Sequence, residues 1–111
     1  MVKNSFLKEK IDLKSPNKNI TPITTSIGSD GKLSIGGCSI EELVKKYDSP
    51  LYILDEITLR NSCRAYKKAL EKYYPGESLP IYASKANSSI FMSNLVSSEG
   101  FGLDAVSEGE L

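Results

Sequence analysis

The chain has 111 residues, enough for one domain of ordinary size but too few for two domains with separate cores. Hydrophobic residues make up 40% and charged residues 25%, as in folded globular proteins, and 14 basic residues offset 14 acidic ones. Without a net field, the composition argues against nucleic acid or an anionic membrane as a partner. We find no apolar run that could span a bilayer and no apolar secretion signal, so we expect a cytoplasmic protein.

Two residue types that often carry chemistry are scarce. The chain has two cysteines, Cys38 and Cys63, and no histidine. Two cysteines are too few for a disulfide framework, and they lack the spacing of metal ligands. The sequence therefore predicts no metal site and excludes a histidine general base within this segment.

The first 37 residues predict an arm followed by a β-hairpin. Residues 1–22 are rich in lysine and contain the breaker cluster SPNKN, which indicates a mobile N-terminal arm. In residues 23–37, Asp30 and Gly31 lie between two short apolar runs. Because Asp-Gly supplies the positive φ angles of a type I′ turn, we expect a hairpin there.

Residues 38–111 alternate between helical and strand-like patterns. Ser39 and Glu42 have the spacing of a capping box, ahead of a short amphipathic helix. The run LYIL then predicts a strand buried on both faces, as in parallel sheets covered by helices. The later predicted elements are a helix over 56–73 capped by Asp55, a strand over 79–84, a helix from about 88 to Gly100, a strand over 102–106 and a helix beginning at Ser107.

Apolar spacing assigns an inward face to each long helix. The first face comprises Leu59, Cys63, Tyr66, Leu70 and Tyr73, so Cys63 is interpreted as a core residue, and the second comprises Ile90, Phe91, Met92 and Leu95. The order of elements predicts βαβ units and a parallel sheet. The pattern leaves open a (β/α)₈ barrel or a doubly wound sheet, and both place chemistry at the carboxyl ends of the strands.

Lys85 lies just beyond the second predicted strand, within LPIYASKANSSIF. Its neighbours are small, which leaves room beside the amine for a planar or phosphorylated ligand. Partial desolvation favours a neutral amine, and attack on a carbonyl requires one, so a Schiff-base lysine fits. The alternative is a lysine that extends from a strand end into solvent, the commoner case for a lone lysine.

Two carboxylates lie near the third predicted strand. Asp104 interrupts the apolar run FGLDAV and needs a partner there, which the βαβ order offers in Lys85. The alternative is an aspartate in a loop, bonded to backbone amides. Glu110 follows Ser107 at the spacing of a capping box, so a bond to the Ser107 backbone also explains it, although a helix N-terminus can hold an anion.

Three motifs together resemble a known family. They read SPLYILDEITLRNSCRAYKKAL, YASKAN and GFGLDAVSEGEL. In this order and spacing they are similar to the start of the alanine-racemase-like barrel of fold type III pyridoxal-phosphate decarboxylases, over about residues 31–111. The resemblance implies an α/β fold in which residues 38–111 form the N-terminal part of a (β/α)₈ TIM barrel. Residues 23–37 would be a hairpin or strand of a second β domain.

The resemblance also implies a cofactor and a reaction. Pyridoxal 5'-phosphate would be bound as a Schiff base by Lys85, the catalytic residue, with Asp104 and Glu110 beside the cofactor. Asn87 matches the motif without an assigned catalytic role. The motifs resemble most the branch that decarboxylates meso-2,6-diaminopimelate to L-lysine, so we expect a small amino acid as substrate and a homodimer for the full-length enzyme.

Several alternatives share the lysine motif. They are ornithine, arginine and carboxynorspermidine decarboxylases, amino-acid racemases, and a non-catalytic pyridoxal-phosphate-binding protein, against which the predicted leading β-strand counts. The chain also ends after about three of the eight barrel strands of the family, before its later cofactor-binding residues. We therefore expect the 111 residues alone to be an inactive fragment.

Overall fold

The computed structural model describes residues 20–111. The predicted N-terminal arm lies outside this range, apart from its last three residues. The chain divides into two compact units, the first ending at Leu59 and the second running from Arg60 to Leu111. Both helices and sheets are present, so the predicted α/β class is confirmed. Among the residues described, no helix is both long and apolar enough to cross a membrane.

The first unit contains a three-stranded antiparallel sheet that leads directly into a helix. The strands are β1 (Ser26–Ile27), β2 (Leu33–Ile35) and β3 (Cys38–Ser39), in that order in the sheet. Helix α1 spans Ile40–Tyr47. The predicted hairpin and short helix are therefore present. The sequence reasoning missed β3, and the side chain of Ser39 makes no capping hydrogen bond.

The type I′ turn predicted at Asp30 and Gly31 occurs in the other hairpin loop, between β2 and β3. In the β1–β2 loop the Gly31 N–H donates to the Gly28 carbonyl, and Gly31 has a φ of +76°. Asp30 is not among the residues with positive φ, so the predicted type I′ turn is wrong there. The β2–β3 loop instead has Gly36 at φ +58° and Gly37 at +80°. Only glycine adopts two such angles without steric cost, so the type I′ geometry belongs to this loop.

The predicted strand LYIL is not formed. Residues 51–54 have no regular secondary structure, and no strand among residues 20–111 pairs with them. Tyr52 is 98% exposed and Leu54 47% exposed, so the expected burial on both faces is also wrong. An apolar run becomes a strand only when a neighbouring strand accepts its backbone hydrogen bonds, and the sequence run carries no information on that neighbour.

The long helix α2 spans Glu56–Tyr73, with the predicted bounds. Asp55 caps its start, because the buried carboxylate accepts hydrogen bonds from the N–H of Thr58, at 3.1 Å, and from the Thr58 hydroxyl. Of the predicted inward face, Cys63 is buried, whereas Tyr66 and Tyr73 are exposed. The two tyrosines follow the helical period, but their side chains are 68% and 74% exposed, so this part of the predicted face is wrong.

The second unit contains a parallel pair of strands that are connected by a helix. Strand β4 (Ile81–Ala83) pairs in parallel with β5 (Gly102–Asp104), and helix α3 (Ile90–Ser98) connects them and packs on β5. Two short 3₁₀ turns follow the strands, Ser84–Ala86 after β4 and Glu108–Glu110 near the C-terminus. The second is a 3₁₀ turn where another α-helix was predicted.

The apolar core of the described residues lies in the second unit. It consists of Cys63, Met92, Leu95 and Val96. The predicted inward positions Ile90 and Phe91 are instead 80% and 44% exposed. Val96 was not predicted, yet it is the most deeply buried of these side chains, because α3 faces the core through positions 92, 95 and 96, one helical stripe.

Candidate functional site

The carboxyl ends of β4 and β5 bring the predicted site residues to one edge. In the parallel register Ala83 lies opposite Asp104, so the two strands end side by side. Lys85 follows β4 by two residues, and Asp104 is the last residue of β5. The sequence reasoning correctly predicted this shared edge, which is where parallel sheets hold their functional groups.

Lys85 lies in the middle of the first 3₁₀ turn with an exposed side chain. Within residues 20–111 its amine forms no hydrogen bond or ion pair. Asn87 shapes the exit from this turn: its Oδ1 accepts from the N–H of Ser89 at 3.0 Å, and its carbonyl accepts from the Tyr82 hydroxyl at 3.2 Å. The turn therefore presents an uncommitted primary amine.

Asp104 contributes its backbone rather than its carboxylate to the contacts at this edge. Its carbonyl oxygen accepts a hydrogen bond from the Ser84 hydroxyl at 2.8 Å. Its side chain is exposed, and among the residues described it makes no ion pair with Lys85. The suggested pairing of the two side chains is therefore absent, although the residues share the strand end.

Glu110 is the second acceptor for Ser84. Its Oε2 lies 3.2 Å from the Ser84 hydroxyl and accepts from the Val106 N–H at 2.6 Å. The predicted bond back to the Ser107 backbone is wrong by one residue, and Ser107 makes no side-chain capping bond. The expected spacing belongs to an α-helix, whereas the tighter 3₁₀ turn lets the carboxylate reach one residue further upstream.

Ser84 joins the lysine turn to the end of β5. It is 4% exposed, and its single hydroxyl lies between the Asp104 carbonyl and the Glu110 carboxylate. Sequence reasoning treated Ser84 only as a small neighbour of Lys85. The available signal was a polar residue at the end of a strand, but the sequence did not identify its partners, which are 20 and 26 residues away.

A cleft of about 450 Å³ opens beside this network. Its polar lining includes Ser84, Ser88, Ser93 and Glu110, and its apolar lining includes Ile90 of α3 and Leu103 of β5. Across residues 20–111, no three His, Cys, Asp or Glu side chains cluster in a way that could hold a metal ion. The chemistry that this edge offers is therefore that of an amine, carboxylates and hydroxyls.

A second polar cluster joins α2 to the end of α3. Glu99 receives hydrogen bonds from Arg60 Nη1 at 2.7 Å and from Arg64 Nε and Nη2 at 2.9 Å, while Lys67 Nζ donates to its backbone carbonyl at 3.1 Å. The bonds from Arg64 and Arg60 lower the pKa of Glu99 to about 2. This cluster, which the sequence reasoning missed, holds the two helices of the unit together.

Cys63 lies near this cluster and is a structural cysteine. Burial raises the pKa of its thiol, and the charge of Glu99 adds to the effect. A thiol with a raised pKa is a poor nucleophile, because the reactive form is the thiolate. Cys63 is 8% exposed, so the prediction that it is a core residue is confirmed.

Comparison with known proteins identifies the family whose sequence pattern the chain matches. Residues 56–111 match the family model described as pyridoxal-dependent decarboxylase, pyridoxal binding domain. The matched range contains β4, β5, Lys85, Asp104 and Glu110. No solved structure is significantly similar to the chain.

Curated relatives carry a more specific name. The chain is 50% identical over 97 residues to the diaminopimelate decarboxylase of Synechocystis sp., an alignment that covers 87% of this chain and 21% of the relative. It is 40% identical over 88 residues to the enzyme of the same name from Bacillus methanolicus, an alignment that covers 79% of this chain and 20% of the relative. It is 37% identical over 83 residues to the enzyme of that name from Archaeoglobus fulgidus, an alignment that covers 75% of this chain and 19% of the relative. The chain thus spans about a fifth of the length of these relatives.

Proposed function

The chain belongs to the pyridoxal-dependent decarboxylase family, and on that basis we propose that it forms the lysine-bearing part of a diaminopimelate decarboxylase. The proposed reaction converts meso-2,6-diaminopimelate to L-lysine and CO₂. The observation that carries the proposal is an uncommitted lysine at the carboxyl end of parallel strands, within the matched residues. The shared name of the relatives favours diaminopimelate over ornithine, arginine or carboxynorspermidine.

The residues at the strand edge fit pyridoxal 5'-phosphate in their chemistry. The amine of Lys85 is exposed and has no ion pair among the described residues that would compete for it, and its neighbours Ala83 and Ala86 are small. When bound, this cofactor supplies an electron sink for carbanion chemistry at the α-carbon of an amino acid. We propose that Lys85 holds it covalently through Nζ, because a neutral primary amine attacks an aldehyde carbon.

Two carboxylates complete the proposed part of the site. Asp104, at the end of β5, lies at the same edge as Lys85, so we propose that it lies beside the cofactor. Glu110 lines the same cleft as Ser84, the residue before Lys85, and accepts a hydrogen bond from it, so we include Glu110 among the residues near the cofactor. The amino-acid substrate would enter from the open side of this edge.

The finer architecture is part of the proposal. The parallel pair β4 and β5, connected through α3, is one βαβ unit, the repeating element of a (β/α)₈ barrel. We propose that residues 38–111 belong to such a barrel, that residues 23–37 belong to a second β domain, and that the full-length enzyme is a homodimer. A cytoplasmic location is supported by the two free thiols, Cys38 and Cys63.

Covalent labelling tests the assignment of Lys85. The protein is incubated with pyridoxal 5'-phosphate, reduced with borohydride, digested and mapped by mass spectrometry. We expect the pyridoxyl group on Lys85 and its loss in Lys85→Arg, whereas Lys68→Arg, at an exposed lysine on α2, keeps it. A label spread over other lysines with none on Lys85 would refute the assignment.

A chimeric enzyme tests the reaction itself. We propose that the 111 residues alone release no CO₂ from diaminopimelate, since they span about a fifth of the relatives. Replacing the matched segment of the Synechocystis enzyme with this chain should give an enzyme that releases CO₂ from diaminopimelate in preference to ornithine or arginine. The Lys85→Ala chimera should be inactive. A folded chimera that acts on ornithine instead would overturn the proposed substrate.

A further inference from the structure

We propose that Ser84 is a positioning residue for Lys85, and that Glu110 acts on the lysine through Ser84. This inference rests on the proposed role of Lys85 and concerns how its backbone is held. The residues involved are the 3₁₀ turn Ser84–Ala86, the Asp104 carbonyl and the Glu110 carboxylate, which we call the lysine latch.

The turn that carries Lys85 is too short to order itself. A three-residue 3₁₀ turn contains little internal hydrogen bonding, and its bonds are less well aligned than those of an α-helix. Fixing a backbone residue costs about 1–2 kcal/mol of conformational entropy, which so short a turn recovers poorly. The position of the Lys85 backbone must therefore be set by contacts outside the turn.

Ser84 provides those contacts. It is 4% exposed, and its hydroxyl bonds to the Asp104 carbonyl at the end of the neighbouring strand. A hydroxyl carries one proton, so the shorter contact of 2.8 Å and the longer one of 3.2 Å to Glu110 share one donor. Removing this hydroxyl leaves the Asp104 carbonyl and the Glu110 carboxylate without their shared donor, which removes the side-chain hydrogen bond between the lysine turn and the end of β5.

Glu110 is held in place independently of Ser84. Its Oε2 also accepts from the Val106 N–H at 2.6 Å, a short bond to the segment that follows β5. The carboxylate thus connects the backbone after β5 to the residue before Lys85. This arrangement needs an acceptor oxygen at position 110 but no negative charge, since both donors are neutral groups.

The experiment compares four variants in the full 111-residue chain. Ser84→Ala removes the shared donor, Glu110→Ala removes the second acceptor, and Glu110→Gln keeps an acceptor oxygen without the charge. Ser88→Ala is the matched control, because Ser88 lines the same cleft but makes no hydrogen bond through its side chain within residues 20–111. Glu110 is only half-buried, so its variants should fold even if Ser84→Ala does not.

The first measurement is independent of the cofactor. Amide hydrogen exchange at residues 85–87 should rise about five-fold in Ser84→Ala and Glu110→Ala, the effect of losing one net hydrogen bond, and stay unchanged in Glu110→Gln and Ser88→Ala. The second is the pyridoxal 5'-phosphate concentration needed for borohydride-trapped label on Lys85. It should rise by the same factor in Ser84→Ala, because binding must then select the ordered turn, and stay unchanged in Ser88→Ala; the Glu110 variants are compared by hydrogen exchange alone. Label on Lys68 serves as the reference within each molecule.

Each outcome has a distinct meaning. If Lys85 takes no label in either the wild-type chain or the chimera, the proposed function fails, and if only the chimera is labelled, the variants are compared in the chimera. If wild-type Lys85 is labelled and the variants change neither measurement, the lysine latch is wrong while the function stands. If exchange rises but labelling at Lys85 is unchanged, Ser84 is structural only and the positioning role is refuted. If Glu110→Gln raises hydrogen exchange at residues 85–87 as Glu110→Ala does, the negative charge matters and Glu110 does not act through Ser84.

Discussion

Glu99 remains ionised far into the acid range because two guanidinium groups hold its carboxylate. The bonds from Arg64 and Arg60 lower its pKa from the ordinary 4.5 to about 2, and its side chain is only 9% exposed. A carboxylate whose pKa is lower in the folded state binds its proton more weakly there than in the unfolded chain. Its contribution to stability is therefore complete above pH 4.5 and disappears as the pH falls through about 2.

The prediction at the residue scale is a flatter acid profile for Glu99→Gln. The free energy of unfolding of the wild type should fall between pH 4.5 and 2 by more than that of the variant, because glutamine has no proton to take up. Thermal unfolding followed by circular dichroism at several pH values measures this. Glu71→Gln, at an exposed glutamate on α2, is the control. Parallel pH profiles for the wild type and Glu99→Gln would contradict the prediction.

Neighbouring residues at the strand edge differ in how far their side chains are buried. Lys85 is exposed without a partner among the described residues, whereas Ser84 is buried with two acceptors. The sequence indicated Lys85 because a charged residue followed an apolar strand, but nothing local distinguished Ser84 from a solvent-facing serine. A hydroxyl gains its significance from the groups that surround it, and those groups come from distant parts of the chain.

At the scale of elements, helix α3 ends at a residue in the left-handed conformation, which glycine adopts without steric cost. Gly100 has a φ of +80°, its N–H donates to the Ser97 carbonyl, and the Phe101 N–H donates to the Val96 carbonyl. These two bonds form a Schellman motif, and they confirm the predicted stop at Gly100. The motif also brings Glu99, the capping residue, to the arginines of α2.

Gly100→Ala should therefore destabilise the second unit. A side chain at a left-handed φ costs about 1–2 kcal/mol, and the added Cβ would lie 2.9 Å from Lys67 Nζ, which can move away. We expect the free energy of unfolding in urea to fall by about 1–2 kcal/mol. Gly109→Ala is the control, because Gly109 has no positive φ and an added Cβ would lie 4.0 Å from Ser107 Oγ, an ordinary contact distance. An equal effect of the two substitutions would show that conformational strain is not the cause.

Elements also differed in how well local patterns predicted them. The bounds of α2 follow from Asp55 at its start and Pro75-Gly76 after its end, signals that act within a few residues. The run LYIL gave an equally strong local signal and forms no strand, because pairing depends on a neighbour. A helix satisfies its own backbone, so its pattern predicts it more directly than a strand pattern predicts a strand.

At the scale of the whole molecule, the buried apolar side chains of residues 20–111 are concentrated in one unit. Cys63, Met92, Leu95 and Val96 all belong to the unit from Arg60 to Leu111, and residues 20–59 contain no buried hydrophobic side chain. Because apolar burial is the main favourable term in folding, we expect the second unit to be the more stable. Amide hydrogen exchange should show stronger protection in α3 and β5 than in the β1–β3 sheet.

Val96→Ala tests this distribution. Val96 is 2% exposed, so its truncation should lower the protection of α3 and β5 by about 2 kcal/mol. Val44→Ala on α1 is the matched control, since Val44 is 37% exposed and its truncation should cost less than about 0.5 kcal/mol. Equal protection in the two units, or an equal effect of the two substitutions, would contradict a core confined to the second unit.

Local signals in the sequence were sufficient for the α/β class, the bounds of α2, the stop at Gly100 and the shared strand edge of Lys85 and Asp104. Each of these depends on residues close together in the chain or on the order of elements. Tertiary contacts were needed to decide which helix positions are buried, where the type I′ turn lies and what Ser84 binds. Ser84 and Glu110 are 26 residues apart, and no local pattern indicates a contact over that separation. The lysine was visible in the sequence, whereas the residues that hold it in place were not.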